Sequence, residues 1–174
     1  SVLRELYKIQ ISNYTRIQIG VIENYVRSIG IDKKICCFCN SMAGKNIEVL
    51  PNGDIYQCGA MESKLSECPR PNIFELSLEE LQNVLSKFIK KTGVDILSTC
   101  KECDVKNICR GGCRAISYQV NGSLLGEQPL CHELHDFLAG VVKDYNDGLL
   151  NDYLTYLKLI DKYSEIKEHD IRYF

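Results

Sequence analysis

Ten cysteines in a chain of 174 residues are the side chains best suited to do chemistry. Five are closely ordered as Cys100-x2-Cys103-x5-Cys109-x3-Cys113, with Cys131 following after seventeen residues. Thiolate is the soft ligand that iron–sulfur clusters and zinc prefer. Intervals this short let one loop wrap a metal centre, with successive thiolates converging on it. Arg110-Gly111-Gly112 fills the last interval, and the paired glycines let the backbone approach a bulky centre and aim amide N–H groups at its sulfur atoms. Five cysteines exceed a four-ligand site, so at least one belongs elsewhere. Upstream, Gly53-x4-Cys58 supplies a further thiol, and Cys36, Cys37 and Cys39 precede Gly53.

The elements that must position these thiols are legible in part. Leu3, Leu6, Tyr7, Tyr14, Ile17, Val21, Tyr25 and Ile29 recur at helical intervals, predicting one or two helices closed by Gly30, although the alternation Arg16-Ile17-Gln18-Ile19 leaves a strand open there. Ile47–Leu50 and Asp54–Gln57 flank Pro51-Asn52-Gly53. Asn-Gly favours a primed hairpin turn in which both central residues take positive φ, and the hairpin sets Cys58 at a strand end. Ser77-Leu78-Glu79-Glu80 reads as a capping box. It opens a helix whose apolar face is Leu78, Leu81, Val84, Leu85, Phe88 and Ile89, with Lys87, Lys90 and Lys91 near the C-terminal end of its dipole and Gly93 as the stop. Residues 98–131 read as cysteine-rich loop. The helical period returns with Leu134, Phe137, Leu138, Val141, Val142 and Tyr145, then continues past Asp147-Gly148 through Leu154, Leu157 and Ile160.

Taken together, the cysteines resemble the SPASM domain, the C-terminal extension of many radical S-adenosylmethionine enzymes. Its pattern is a cysteine, a spacer, Gly-x4-Cys, a gap, Cys-x2-Cys-x5-Cys-x3-Cys, another gap and a last cysteine. The sequence fits from either Cys37 or Cys39 through Cys131, over residues 36–131. The resemblance implies two auxiliary [4Fe–4S] clusters with interleaved ligands. Cys100, Cys103, Cys109 and Cys131 hold one; Cys58 and Cys113 hold the other with upstream cysteines, for which Cys37 and Cys39 complete a set of four. It also implies a β-hairpin followed by helices. In relatives such clusters carry an electron away from a substrate radical or help position a peptide, so the implied parent is an oxidoreductase-type maturase that modifies a peptide or protein side chain.

The sequence departs from the family in three places. Cys36, Cys37 and Cys39 are more crowded than the usual upstream pair, so the second cluster has either four cysteines or an open iron that Cys68 could fill. Gly59 stands directly after Cys58, where the sulfatase-maturating branch carries an acidic base, and that chemistry is not supported. No Cys-x3-Cys-x2-Cys occurs: Cys36 and Cys39 are spaced correctly, but position 32 is Asp. The cluster that cleaves S-adenosylmethionine has no home in the chain. No residue is assigned a catalytic role, and the region alone is expected to be inactive.

The expected fold is a small α+β domain with a hairpin, flanking helices and long cluster-binding loops. Residues 1–35 form a helical link to a radical SAM core outside the sequence, 36–131 the SPASM-like domain, and 132–174 helices packed on it. With so much loop, bound metal would supply folding energy, and apo protein should be poorly folded around 98–131. The expected partners are that core and a peptide or protein substrate. Net charge is −2 with signs intermixed, which leaves no basic field for nucleic acid. No apolar run approaches the roughly 20 residues that span a bilayer. The opening Ser1–Leu6 lacks a signal-peptide layout, pointing to a reducing cytoplasm where clustered cysteines bind metal rather than form disulfides. The absent initiator Met suggests a fragment. The rival reading is a zinc-stabilised structural or interaction module without redox role, since zinc accepts the same thiolates. Cys36 and Cys68 read as spare thiols, His132 and His135 as solvated residues, and Tyr56 and Tyr118 as packing residues. Arg110 and Arg114 either offset the charge of a centre or are ordinary surface residues.

Overall fold

The computed structural model describes residues 2–31, 47–61 and 70–171, with side chains of the last helix described as far as residue 162. Cys36, Cys37, Cys39 and Cys68 lie outside these residues. Among the described residues the protein is α+β, with seven α-helices and one two-stranded antiparallel hairpin. The chain divides into two compact units, residues 1–37 with 132–174, and residues 38–131. No helix among the described residues is long and apolar enough to cross a membrane.

The first unit is helical: α1 (Val2–Ser12), α2 (Gly20–Gly30), α6 (Cys131–Asn146, of which residues from 132 belong to this unit) and α7 (Asn151–Ile171). Its core is Tyr7, Ile22, Tyr25, Val26, Leu134, Phe137, Leu138, Val141, Leu150, Tyr153, Leu154 and Leu157. The Phe137 ring meets Tyr7 and Tyr25 edge-on, at centroid separations of 5.9 and 5.8 Å, a favoured geometry for aromatic pairs. The buried face of α2 is Ile22, Tyr25 and Val26, whereas Ile17 and Val21 are exposed, which corrects the expected face by one position. No strand forms at residues 16–19. Ile19 is extended, but its N–H donates to Gln10 Oε1 at 2.6 Å rather than to a strand. Fully buried Gln10 also donates from Nε2 to the Tyr153 hydroxyl. Burial pushes that phenol up to about 12. Gly148 has φ 78° and turns the chain between α6 and α7.

The second unit holds β1 (Glu48–Val49) and β2 (Ile55–Tyr56), then α3 (Leu78–Thr92), α4 (Lys106–Cys109) and α5 (Arg114–Asn121). Register pairs Glu48 with Tyr56 and Val49 with Ile55. The turn is not primed. Gly53 alone has positive φ (88°), and its N–H donates to Leu50 O at 2.9 Å. Proline fixes φ near −65° at Pro51, which suits the second position of a type I turn, with Gly53 following in the left-handed region. A Cβ at Gly53 would stand 2.5 Å from the Phe74 ring. Residues 71–73 run beside β2, with Ile55 N–H to Pro71 O and Ile73 N–H to Gly53 O, both 2.8 Å.

The capping box forms as a reciprocal pair. Glu80 N–H donates to Ser77 Oγ at 3.3 Å and Ser77 N–H to Glu80 Oε2 at 2.9 Å. Leu81 and Phe88 are buried, but Leu78, expected on the same face, is 70% exposed. Gly93 ends α3 in extended conformation, φ −66° and ψ 160°, not in the left-handed cap. Residues 98–131 are less loop-like than expected, because α5 runs two turns from an N-cap at Cys113 to Gly122 at φ 70°.

Candidate metal centre

The cysteine-bearing segment is a series of tight turns. Cys100 ends a single 3₁₀ turn (Ser98–Cys100), and the Cys103 N–H donates to Cys100 O at 3.3 Å. The short α4 delivers Cys109 as its last residue, with Cys109 N–H on Val105 O at 2.9 Å. Arg110, Gly111 and Gly112 then take φ of 53°, 78° and 70°, three successive left-handed residues. This is where glycine is needed. A Cβ at Gly111 would lie 2.5 Å from Leu97 Cδ1, and one at Gly112 would lie 2.9 Å from Gln128 Cγ. Folded back in this way, the chain brings the Gly111 N–H to the Cys109 thiol, where it favours the thiolate.

The described cysteines fall into two groups. Cys100, Cys103, Cys109 and Cys131 are close enough to perturb one another electrostatically. Cys58 and Cys113 instead pack, with Tyr118, against the small apolar cluster of Met61, Phe88, Ala115 and Leu124. All six are free thiols. Cys58 follows β2, and its carbonyl accepts the Met61 N–H at 2.8 Å, opening a 3₁₀ turn. The next residue, Gly59, donates its N–H to Glu48 Oε1 at 2.7 Å, and a Cβ there would lie 2.6 Å from Glu48 Oε2. A carboxylate therefore stands beside position 59, contributed across the hairpin by Glu48. The composition of the Gly-x4-Cys segment gave no sign of it.

Helix α5 ties these segments together. Arg114, only 2% exposed, donates from Nη1 to Leu124 O at 3.1 Å and Gly126 O at 3.0 Å, and from Nη2 to Gly111 O. Ser117 Oγ reaches Gly126 O at 2.6 Å, and Asn121 Nδ2 reaches Glu127 O at 2.6 Å. The strap so held continues to Gln128, whose carbonyl accepts the Cys131 N–H at 2.9 Å. Of the two arginines left open by the sequence, Arg110 is exposed and Arg114 is buried. Tyr56 is buried with Arg70 stacked 5.6 Å from its ring centroid, and Tyr118 lies on the apolar cluster, so both pack.

Electrostatics shows what the four-thiol group can accept. Burial pushes the Cys109 thiol up to about 11; the thiols of Cys100, Cys131 and Cys103 push the same way, and only the Gly111 N–H opposes them. Cys131 is also raised, by burial, by the Glu127 carboxylate and by Cys100 and Cys103, with Arg114 pulling it down. Burial and the neighbouring thiols both disfavour the thiolate at Cys109 and Cys131, because each charge raises the cost of the next. A soft cation removes that penalty and displaces the protons. The donor set, the N–H aimed at sulfur and the close backbone approach all suit a thiolate-ligated metal or cluster.

The chain is similar to several curated proteins. It is 28% identical over 86 residues to the PqqA peptide cyclase of Gluconobacter oxydans, a match covering 49% of this chain and 24% of that protein. It is 30% identical over 90 residues to the PqqA peptide cyclase of Granulibacter bethesdensis, covering 51% of this chain and 24% of that protein. With an uncharacterized protein of Archaeoglobus fulgidus it shares 25% identity over 126 residues, 71% of this chain and 28% of that protein. The chain thus spans about a quarter of the length of the curated relatives it matches. No protein-family model and no solved structure matches it.

Proposed function

We propose that this chain is the auxiliary cluster-binding region of a radical S-adenosylmethionine enzyme that modifies a peptide or protein. The observation that carries the reading is the gathering of Cys100, Cys103, Cys109 and Cys131 from three turns and a distant helix start. Similarity to proteins named peptide cyclases supports both the family and the peptide substrate. In this reading the four thiolates hold one [4Fe–4S] centre, and Cys58 and Cys113 hold a second with Cys37 and Cys39. Residues 36–131 form the binding domain, and 1–35 and 132–174 flank it. Each centre supplies a site that takes up or gives back one electron. The chain's own part is to hold the thiolates, turn the Gly111 N–H toward sulfur, and cover the centres with apolar side chains. S-adenosylmethionine belongs to the parent's core, and the region alone catalyses nothing.

The test is metal analysis of protein purified and reconstituted without oxygen. The expected result is about eight irons and eight sulfides per chain, four of each per cubane, with broad visible absorption that bleaches on reduction. A colourless protein holding zinc that iron and sulfide cannot displace would establish the structural module instead.

A further inference from the structure

Arginine is almost never fully buried unless its charge is matched, so the burial of Arg114 calls for a reason. Its guanidinium donates to three carbonyls that belong to two separate stretches of chain. Gly111 lies inside the left-handed turn between Cys109 and Cys113. Leu124 and Gly126 lie on the strap that leads through Gln128 to Cys131, and the Gln128 side chain sits beneath Gly112. The fork therefore bolts the turn presenting Cys109 to the strap presenting Cys131. A planar, rigid set of donors can do this; an ammonium on a flexible stem cannot hold the same three acceptors at once.

We infer that Arg114 is a positioning residue for the centre on Cys100, Cys103, Cys109 and Cys131, fixing the relative placement of Cys109 and Cys131 and setting a buried positive charge beside the thiolates. The inference rests on the reading that these four thiols hold a metal centre. Carbonyl acceptors bind the guanidinium without cancelling its charge, and the bond from Nη2 to Gly111 O sets that charge at the turn that presents Cys109. A thiolate-ligated cluster is anionic overall, and a fixed cation beside it favours the reduced, more negative state.

The experiment compares the wild-type chain with Arg114→Met and Arg114→Lys, each loaded with iron and sulfide without oxygen. Two quantities are read for each centre: release of iron to a competing chelator, and the midpoint potential. In Arg114→Met the four-thiolate centre should release iron about 10- to 100-fold more readily, the usual cost of removing an outer-shell partner. Its potential should move to more negative values, and by more than that of the centre on Cys58 and Cys113. Arg114→Lys retains a cation, so it should show the faster release with the potential near wild type; it is also the variant to read if Arg114→Met does not fold. An unmoved potential in Arg114→Met, wild-type release in Arg114→Lys, or equal damage to both centres overturns the inference. A wild-type chain that takes up iron nowhere overturns the underlying reading, and this inference with it.

Discussion

Gly112 and Gly122 share a backbone angle but not an environment, which allows the tight turn at the candidate centre to be tested against an internal control. Both have φ 70°, so alanine at either position carries the left-handed penalty of about 1–2 kcal/mol. Gly122 ends α5 in open space, with nothing within 4 Å of an added Cβ. At Gly112 the added Cβ would lie 2.9, 3.0 and 3.3 Å from Cγ, Cδ and Cβ of Gln128. These are the root and middle of a buried side chain rather than its free end, so relief requires the strap itself to move. Overpacking of this kind adds about 1–3 kcal/mol. Gly122→Ala should therefore cost about 1–2 kcal/mol and Gly112→Ala about 2–5 kcal/mol in urea unfolding of the metal-loaded chain. Because the strap ends at Cys131, Gly112→Ala should also lose metal from the four-thiol group while Gly122→Ala retains it. Equal destabilisation by the two substitutions, with equal metal content, would refute the argument that close packing at Gly112 sets the position of Cys131.

Two further outcomes bear on the thiol groups and on the scaffold. Cys103→Ser and Cys113→Ser should each remove about four irons while leaving spectroscopically different centres behind, since each thiol belongs to a different group; loss of the same centre in both would merge the groups. Ser77→Ala should lower stability by about 1 kcal/mol in urea unfolding at unchanged slope, through loss of the Ser77 Oγ contact to the Glu80 N–H; an unchanged midpoint would mean that the cap is replaced by water.

Local chemistry with a strict geometric requirement was the most legible part of the sequence. The capping box needs two residue types three positions apart, and it forms as a reciprocal pair. The hairpin was legible because Asn-Gly lies between two short apolar segments, yet its turn type was not. Proline at 51 is preset for the second position of a type I turn, so the turn centres on Pro51 and Asn52 rather than on the Asn-Gly pair. Helical faces were readable only to within a residue. Val21 and Ile22 are both apolar, and tertiary packing chose Ile22. Helix α5 was hidden among cysteines and glycines, although Asn121-Gly122 was a stop signal in plain view. The role of Arg114 was not legible at all, because nothing in its type or spacing distinguishes a buried fork from a surface charge. Nor was the Glu48 carboxylate beside Gly59, which depends on cross-strand register rather than on sequence neighbours.

The separation of Cys109 from Cys113 shows how spacing underdetermines a site. In a continuous helix, residues four apart lie on the same face, and Cys109 and Cys113 would face one centre together. Here α4 stops at Cys109, three left-handed residues reverse the chain, and α5 starts from Cys113 in a new direction. Cys109 is left among Cys100, Cys103 and Cys131, while Cys113 packs on the apolar cluster that also receives Cys58. Arg110 tolerates its left-handed angle at the helix end, but Gly111 and Gly112 face Leu97 and Gln128 at distances no side chain could accept without displacing them. The glycine pair thus partitions the thiols, and Arg114, the first residue beyond the partition, holds the resulting turn in place.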